Sequence, residues 1–413
     1  MNSNDTDFLA DWEQLSQIGR VEGTLGVDRE AASAADGEQR RWFAELLRSR
    51  GFTVHRDEIG NLFGLLELVP GAPYVLTGSH LDSQPTAGRF DGAYGVLASA
   101  YACFRLADRL RNEAAPPVRN LAVVNWFNEE GSRFKPSLMG SGVFTGKLSL
   151  AEALETRDKK GTSVRAALDA LEERGNFAAL NVASYAEIHV QQGRSMEEGG
   201  IAIGLVDATW GARKYELRVR GEQSHSGSTL MTDRRDALLA AARLIVAARE
   251  LVDEFPPGAL HSACGEIQVY PNSPVVVASE ASVLIDFRSE NTEFLQEAAR
   301  RFLTIAAEIA EQDRVEVEIA AEHSWERNPY TPQGVELARA VAQELGVTHD
   351  TVMTVAGHDS TNMKDVVPTV MLFVPSVEGR SHSVRELTSD ADMLAGVRML
   401  TEVVHRLASS QDL

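Results

Sequence analysis

The chain has 413 residues, 44% hydrophobic and 24% charged, which are the values of an ordinary globular protein with room for two domains and a substantial core. A formal net charge of −20 opposes nucleic acid and anionic membranes as main partners, and no apolar run approaches the length of a membrane span. Cys103 and Cys264 are too few for a disulfide framework, and the acidic start Met1-Asn2-Ser3-Asn4-Asp5 carries no secretory pattern, so a reduced, cytoplasmic protein is expected.

Strand candidates open the first half at residues 52–56, 62–68, 74–77 and 121–127, with a long helix over 93–111 between the last two. Residues 166–174 suggest a further helix and 185–189 a buried strand. This alternation implies an α/β layered domain. From about Arg213 the pattern changes. Residues 214–220 alternate as a strand, 234–255 carry an Ala/Leu-rich helical period, and 263–270 and 281–288 form two more strands. A helix over 292–312 and a strand over 315–320 complete the order β-α-β-β-α-β, a split βαβ unit of ferredoxin-like type. Helix 332–345, strands 351–355 and 369–373, and helix 390–408 then restore the α/β character. The expected division is one α/β domain in two parts, 1–211 and 330–413, interrupted by a small domain at 212–329.

Chemistry gathers first in Gly78-Ser79-His80-Leu81-Asp82-Ser83-Gln84-Pro85-Thr86-Ala87-Gly88-Arg89-Phe90-Asp91-Gly92. A β-rich run delivers a histidine and two aspartates into a segment too rich in Gly and Pro to be core. Imidazole and carboxylate suit borderline-hard divalent metals, and strand ends are where α/β sheets present functional groups. A lone His-x-Asp also fits a polar loop with incidental charges; its weight comes from the rest of the chain. Glu129 and Glu130 follow strand 121–127. Adjacent carboxylates there can divide labour, one ligating a metal and the other taking a proton from water, although a Glu-Glu pair alone fits a solvated turn. His189, in Glu187-Ile188-His189-Val190-Gln191-Gln192-Gly193, ends a strand that could equally hold a core histidine. His382, in Gly379-Arg380-Ser381-His382-Ser383, occupies another strand-end loop. In the small domain, His225 of Gly221-Glu222-Gln223-Ser224-His225-Ser226-Gly227-Ser228 is a candidate for oxyanion or substrate contact, or an ordinary surface histidine.

The blocks GSHLDSQPTAGRFDGAYGV, NEEGSRF with MGSGVF downstream, EIHVQQG, GEQSHSGS, DRRDAL, AGHDS and FVPSVEGRSHS follow one another in this order. Together they resemble the hydantoinase/carbamoylase family of dinuclear metal amidohydrolases, over about residues 10 to 405. That family includes N-carbamoyl-L-amino-acid hydrolases, β-ureidopropionases and allantoate amidohydrolases. The resemblance implies a metallopeptidase-like catalytic domain interrupted by a lid and dimerisation domain. It implies two divalent ions (zinc, manganese, cobalt or nickel), one on His80 and His189, the other on Glu130 and His382, with Asp91 bridging. Glu129 would be the general base toward a water shared by the metals, and Asp82 would orient the His80 imidazole. Gln192 would contact substrate, Arg288 would clamp its carboxylate, and His225 would reach across a homodimer to stabilise the tetrahedral intermediate. The implied reaction is metal-dependent hydrolysis of a linear C–N bond in an N-carbamoyl or closely related N-substituted amino acid. The alternative is an N-acyl-amino-acid amidase on the same scaffold. A binding protein that had kept the fold and lost the chemistry would show an eroded ligand set, yet every matching position carries a suitable residue.

Three departures bear on substrate. Val275 falls where relatives carry an asparagine that partners the clamping arginine, and a more apolar pocket there suits an acyl substrate. Gln191 replaces a glutamate in the block around His189. The stretch Ser228-Thr229-Leu230-Met231 lacks a common proline. None of these is a proposed metal ligand.

Overall fold

The computed structural model describes residues 3–112, 117–178 and 180–410. The chain forms two compact units, Met1–Asp207 with Tyr330–Leu413, and Ala208–Pro329.

The first unit is mixed α/β. Its sheet runs, in lateral order, Thr53–Arg56, Leu62–Leu66, Asn120–Trp126, Tyr74–His80, Val182–Val190, Thr369–Val374 and Ile203–Thr209. The four strands from Asn120–Trp126 to Thr369–Val374 are mutually parallel. Antiparallel pairs flank them on both sides. Asn120–Trp126 and Thr369–Val374 are buried along their whole length and largely apolar, as strands covered on both faces must be. Alternation sends Val75 and Val123 into the main core, where Leu97 and Leu106 of helix Ala93–Asn112 meet Val397 and Leu400 of helix Asp390–Ser409. Their neighbours Leu76 and Val124 face the other way, onto Trp126, Tyr185 and Met363.

The second unit has a four-stranded antiparallel sheet in the order Glu316–Trp325, Gly211–Arg220, Glu280–Ser289, His261–Tyr270. Its principal elements follow the chain as β-α-β-β-α-β. Helices Ala237–Val252 and Thr292–Asp313 pack Leu244, Leu295 and Phe302 against Leu217, Val219, Val283, Ile285 and Phe287. Asp236 and Asn291 cap the two helices by accepting first-turn N–H groups. A short ribbon pairs Ser224–His225 with Val276–Val277. Among the described residues no helix is long and apolar enough to cross a membrane.

Candidate metal centre

Open parallel sheets gather functional groups beyond the carboxyl ends of their strands. Four parallel strands do so here. Tyr74–His80 ends on His80, and Asn120–Trp126 runs into Glu129 and Glu130. Val182–Val190 carries His189 at its end, and Thr369–Val374 leads into the loop of His382. Asp91 lies just before helix Ala93–Asn112. Local backbone makes the turns possible. Asn128 adopts a left-handed φ of 51°, which Asn tolerates better than most residues, and its Nδ2 donates to the Phe134 carbonyl at 2.8 Å. Gly92, at φ 64°, has to be glycine, because a Cβ there would overlap the His80 ring. His382 itself sits at φ 51°, a strained setting of the kind found at functional sites.

The Asp91 carboxylate stands between two sets of side chains. Its Oδ1 is 3.0 Å from His189 Nε2 and 3.6 Å from His80 Nε2. Its Oδ2 is 3.2 Å from His382 Nε2, which is 3.4 Å from Glu130 Oε2. Two groups result, His80/Asp91/His189 and Asp91/Glu130/His382, with the donor atoms of each within 4.8 Å of one another. His80 Nδ1 lies 2.9 Å from the Asp82 carbonyl and His189 Nδ1 2.9 Å from the Val190 carbonyl. A carbonyl only accepts, so both Nδ1 atoms donate and each Nε2 carries the lone pair; that of His189 accepts the Gly92 N–H at 2.9 Å. His80 Nε2 is buried without a hydrogen-bond partner among the described residues. Such an orphaned nitrogen, in a set of imidazoles and carboxylates, fits a divalent cation.

Charge points the same way. Burial alone would lower the His80 pKa, but the carboxylates of Glu129, Asp91 and Asp82 outweigh it and hold the ring well above the ordinary imidazole value. His382, despite burial, is lifted to about 9 by Asp91 and Glu130. Burial would raise Asp91, yet His189, His382 and His80 hold it well below the usual carboxylate range. Burial, with Asp359 and Glu130 nearby, pushes Glu129 well above that range despite His80. The cluster is arranged around positive charge, whether proton or cation.

Glu129 belongs to neither group; its Oε2 stands 3.5 Å from His80 Nε2. Asp82 does contact the His80 ring, through its main chain. Its backbone carbonyl, not its carboxylate, bonds His80; the carboxylate is 3.7 Å away and instead accepts the N–H groups of Glu129 (3.2 Å) and Glu130 (3.3 Å). Gln192 donates to Asp91 Oδ2 at 3.0 Å and to Ser381 Oγ at 3.1 Å. Gln191, an amide where relatives carry a glutamate, accepts the Met196 N–H at 3.0 Å and serves the local fold. Two supports carried no signal of their own in sequence. Ser381 Oγ donates to Asp91 Oδ2 at 2.6 Å, and Gln84 Nε2 donates to Glu130 Oε2 at 2.9 Å. His358 of the AGHDS block packs tilted against the His189 ring, centroids 4.5 Å apart, and burial with His189 holds its pKa well below the ordinary value.

His225 and Arg288 lie in the second unit. His225 is exposed, and its Nδ1 accepts the N–H groups of Gly227 (3.0 Å) and Ser228 (3.2 Å). The ring proton therefore sits on Nε2, leaving an outward donor. Arg288 donates through Nε and Nη2 to Asp286 Oδ2, at 3.0 and 2.7 Å. Val275 is not beside Arg288 within this chain. Its carbonyl accepts the Ser226 N–H at 3.0 Å, next to His225. Strand register puts Arg288 opposite His261, at the far end of strand Glu280–Ser289 from Tyr270, roughly 25 Å along the strand.

Residues 76–406 match the description "Peptidase family M20/M25/M40". The chain belongs to this family. M20 proteins depend on metal, in keeping with the cluster described above. Within M20 the chain resembles a putative hydrolase of Mycolicibacterium smegmatis, 54% identical over 98% of this chain and 93% of that protein. The allantoate amidohydrolase of Bacillus subtilis is 33% identical over 88% of each chain. The N-carbamoyl-L-amino-acid amidohydrolase of Rhizobium meliloti is 33% identical over 95% of this chain and 94% of that one. A crystal structure of a hydantoinase/carbamoylase family amidase from Burkholderia vietnamiensis superimposes with a TM-score of 0.92 at 31% identity, covering 98% of both chains. This M20 protein is thus an amidohydrolase of the hydantoinase/carbamoylase group, whose named relatives cleave C–N bonds other than peptide bonds.

Proposed function

We propose that this protein hydrolyses the linear C–N bond of an N-carbamoyl amino acid or a close ureido relative, using two divalent cations held by His80, Asp91 and His189 on one side and Asp91, Glu130 and His382 on the other. The observation that carries the reading is the shared Asp91 carboxylate between two ligand groups, with a buried carboxylate outside both groups beside them. N-Carbamoyl amino acids and allantoate, the compounds named for its relatives, both contain a ureido group. Bound cations would polarise the scissile carbonyl and lower the pKa of water.

The protein's own groups supply the rest. Glu129 takes the proton of the attacking water and returns it to the departing nitrogen, from a buried position with its Oε2 3.5 Å from His80 Nε2. Asp82 fixes Glu129 and Glu130 through their backbone N–H groups. Gln192 holds Asp91 and contacts substrate. Arg288 binds the substrate carboxylate, and His225 offers its Nε2–H to the developing oxyanion. His225 and Val275 lie together, away from Arg288 in the same chain, which favours their acting from a second copy in a homodimer with the inserted unit as lid. Strand His261–Tyr270, an edge of its sheet with Ile267 and Tyr270 exposed, suits such pairing. The free thiols Cys103 and Cys264 suit a reducing cytoplasm.

The test is product release from a panel of N-carbamoyl, N-acetyl and longer N-acyl amino acids plus allantoate, with manganese or zinc restored after chelation. Ammonia together with free amino acid from the carbamoyl compounds is the expected result. Amine release from acyl compounds alone would replace this reading with an aminoacylase.

A further inference from the structure

Glu386 is a buried carboxylate with no part in the chemistry above. Its Oε2 accepts the backbone N–H groups of Phe90 (2.8 Å) and Asp91 (3.1 Å). Both N–H groups lie in the turn just before helix Ala93–Asn112, and Glu386 supplies their acceptor. Buried and unpaired, they would be costly. Gly88 makes room for the arrangement, since a Cβ there would run into the Glu386 carboxylate. The same loop holds Asp91 from the other end, through Ser381 Oγ on Oδ2 at 2.6 Å. It also presents His382, whose Nε2 is 3.2 Å from that carboxylate. One loop therefore grips the shared ligand by backbone and by side chain.

We propose that Glu386 is a positioning residue for the cation site. By holding the Asp91 backbone it aims one carboxylate oxygen at each ligand group and ties the His382 loop to the buried half. The inference rests on the cation-binding reading above. What the grip requires is an acceptor oxygen at that place, not a negative charge, so a glutamine carbonyl replaces it and an alanine does not.

The experiment measures zinc affinity of the metal-stripped full-length protein by competition with a chromogenic chelator, beside the unfolding temperature of the metal-free protein. Glu386→Ala should weaken zinc binding at least about tenfold, the low end for partners that orient ligands. Glu386→Gln should stay within about threefold of wild type, on the same principle that geometry is what matters. Gly88→Ala leaves the carboxylate in the sequence but displaces it, and should weaken binding as Glu386→Ala does. That comparison stands even where Glu386→Ala fails to fold. Wild-type affinity in both Glu386→Ala and Gly88→Ala overturns the proposal, including when the metal-free unfolding temperature falls. So does a Glu386→Gln variant as weak as Glu386→Ala. A wild-type protein that binds no zinc and no manganese would remove the underlying cation-binding reading as well, which separates the two failures.

Discussion

The His80–His189 side of the site and the Glu130–His382 side share one carboxylate but are held by different kinds of structure. His80 and His189 ride on central strands, 1% and 0% exposed, each with Nδ1 tied to a backbone carbonyl. Tautomer and ring orientation are set by main-chain geometry, so this half is formed before any ion arrives. His382 has a side chain 48% exposed, on a loop with a left-handed backbone. The supports of the loop half are themselves side chains, Gln84 on Glu130 and Ser381 on Asp91. Preorganisation is therefore unequal, and a strand-borne ligand should tolerate perturbation of its surroundings better than a loop-borne one.

The largest effect expected spares both halves. Glu129→Gln should lower kcat on the order of 10³-fold while leaving the metal content measured by elemental analysis unchanged. Turnover at the wild-type rate would remove Glu129 as the base. The halves separate next. His189→Ala should weaken zinc binding by more than about 100-fold, beyond what loss of an outer partner does. His382→Ala should keep one equivalent and lose the other. Equal losses in the two variants would erase the distinction drawn here.

A pH titration sharpens it. Ligands must shed their protons to bind, and His382 sits at about 9, so the affinity of the loop half should rise about tenfold per pH unit up to that value and then level off. In metal-free protein the sign reverses. His382 gains its proton more readily folded than unfolded, so its contribution to stability is complete below the ordinary imidazole value and disappears as pH climbs through about 9. The gap in unfolding temperature between chelated wild type and His382→Ala should narrow over that window. The smallest effect belongs to Ser381→Ala, which removes one hydrogen bond to a charged oxygen and should cost about tenfold in affinity for the loop half.

Much of the scaffold was legible because it follows from periodicity. Strand Tyr74–His80 runs past the expected end at 77, and the helix expected over 234–255 spans Ala237–Val252 with Asp236 as its cap, shifts of a few residues. Helix 332–345 coincides with Pro332–Leu345, where Pro at the start and Gly346 at the end punctuate the chain. Helices Ser3–Gln17 and Ala34–Ser49 escaped, as did strand Ile203–Thr209. Ala34–Ser49 buries Asp36, Gln39 and Arg40, so its inner face does not look apolar in sequence. The candidate positions are conspicuous as histidines and carboxylates at strand ends, but their division into two ligand groups is what the family resemblance implies. Ser381, Gln84 and Glu386 are not conspicuous, because a hydroxyl, an amide or a distant carboxylate acquires its role only when folding brings it under Asp91 or beside Glu130. Asp82 shows the same limit, since the family resemblance implies that it orients His80 but only the folded backbone shows that its carbonyl does so.

Strand Thr369–Val374 lies inside the sheet, between Val182–Val190 and Ile203–Thr209, although the whole second unit precedes it in the chain. During synthesis the two earlier strands emerge first and wait with a gap between them while more than a hundred residues pass. Until the gap closes, each presents unpaired backbone to whatever strand is near. The order of translation thus runs against the order of the sheet, and a ribosome stalled before residue 369 holds an open seam in place of a smaller enzyme.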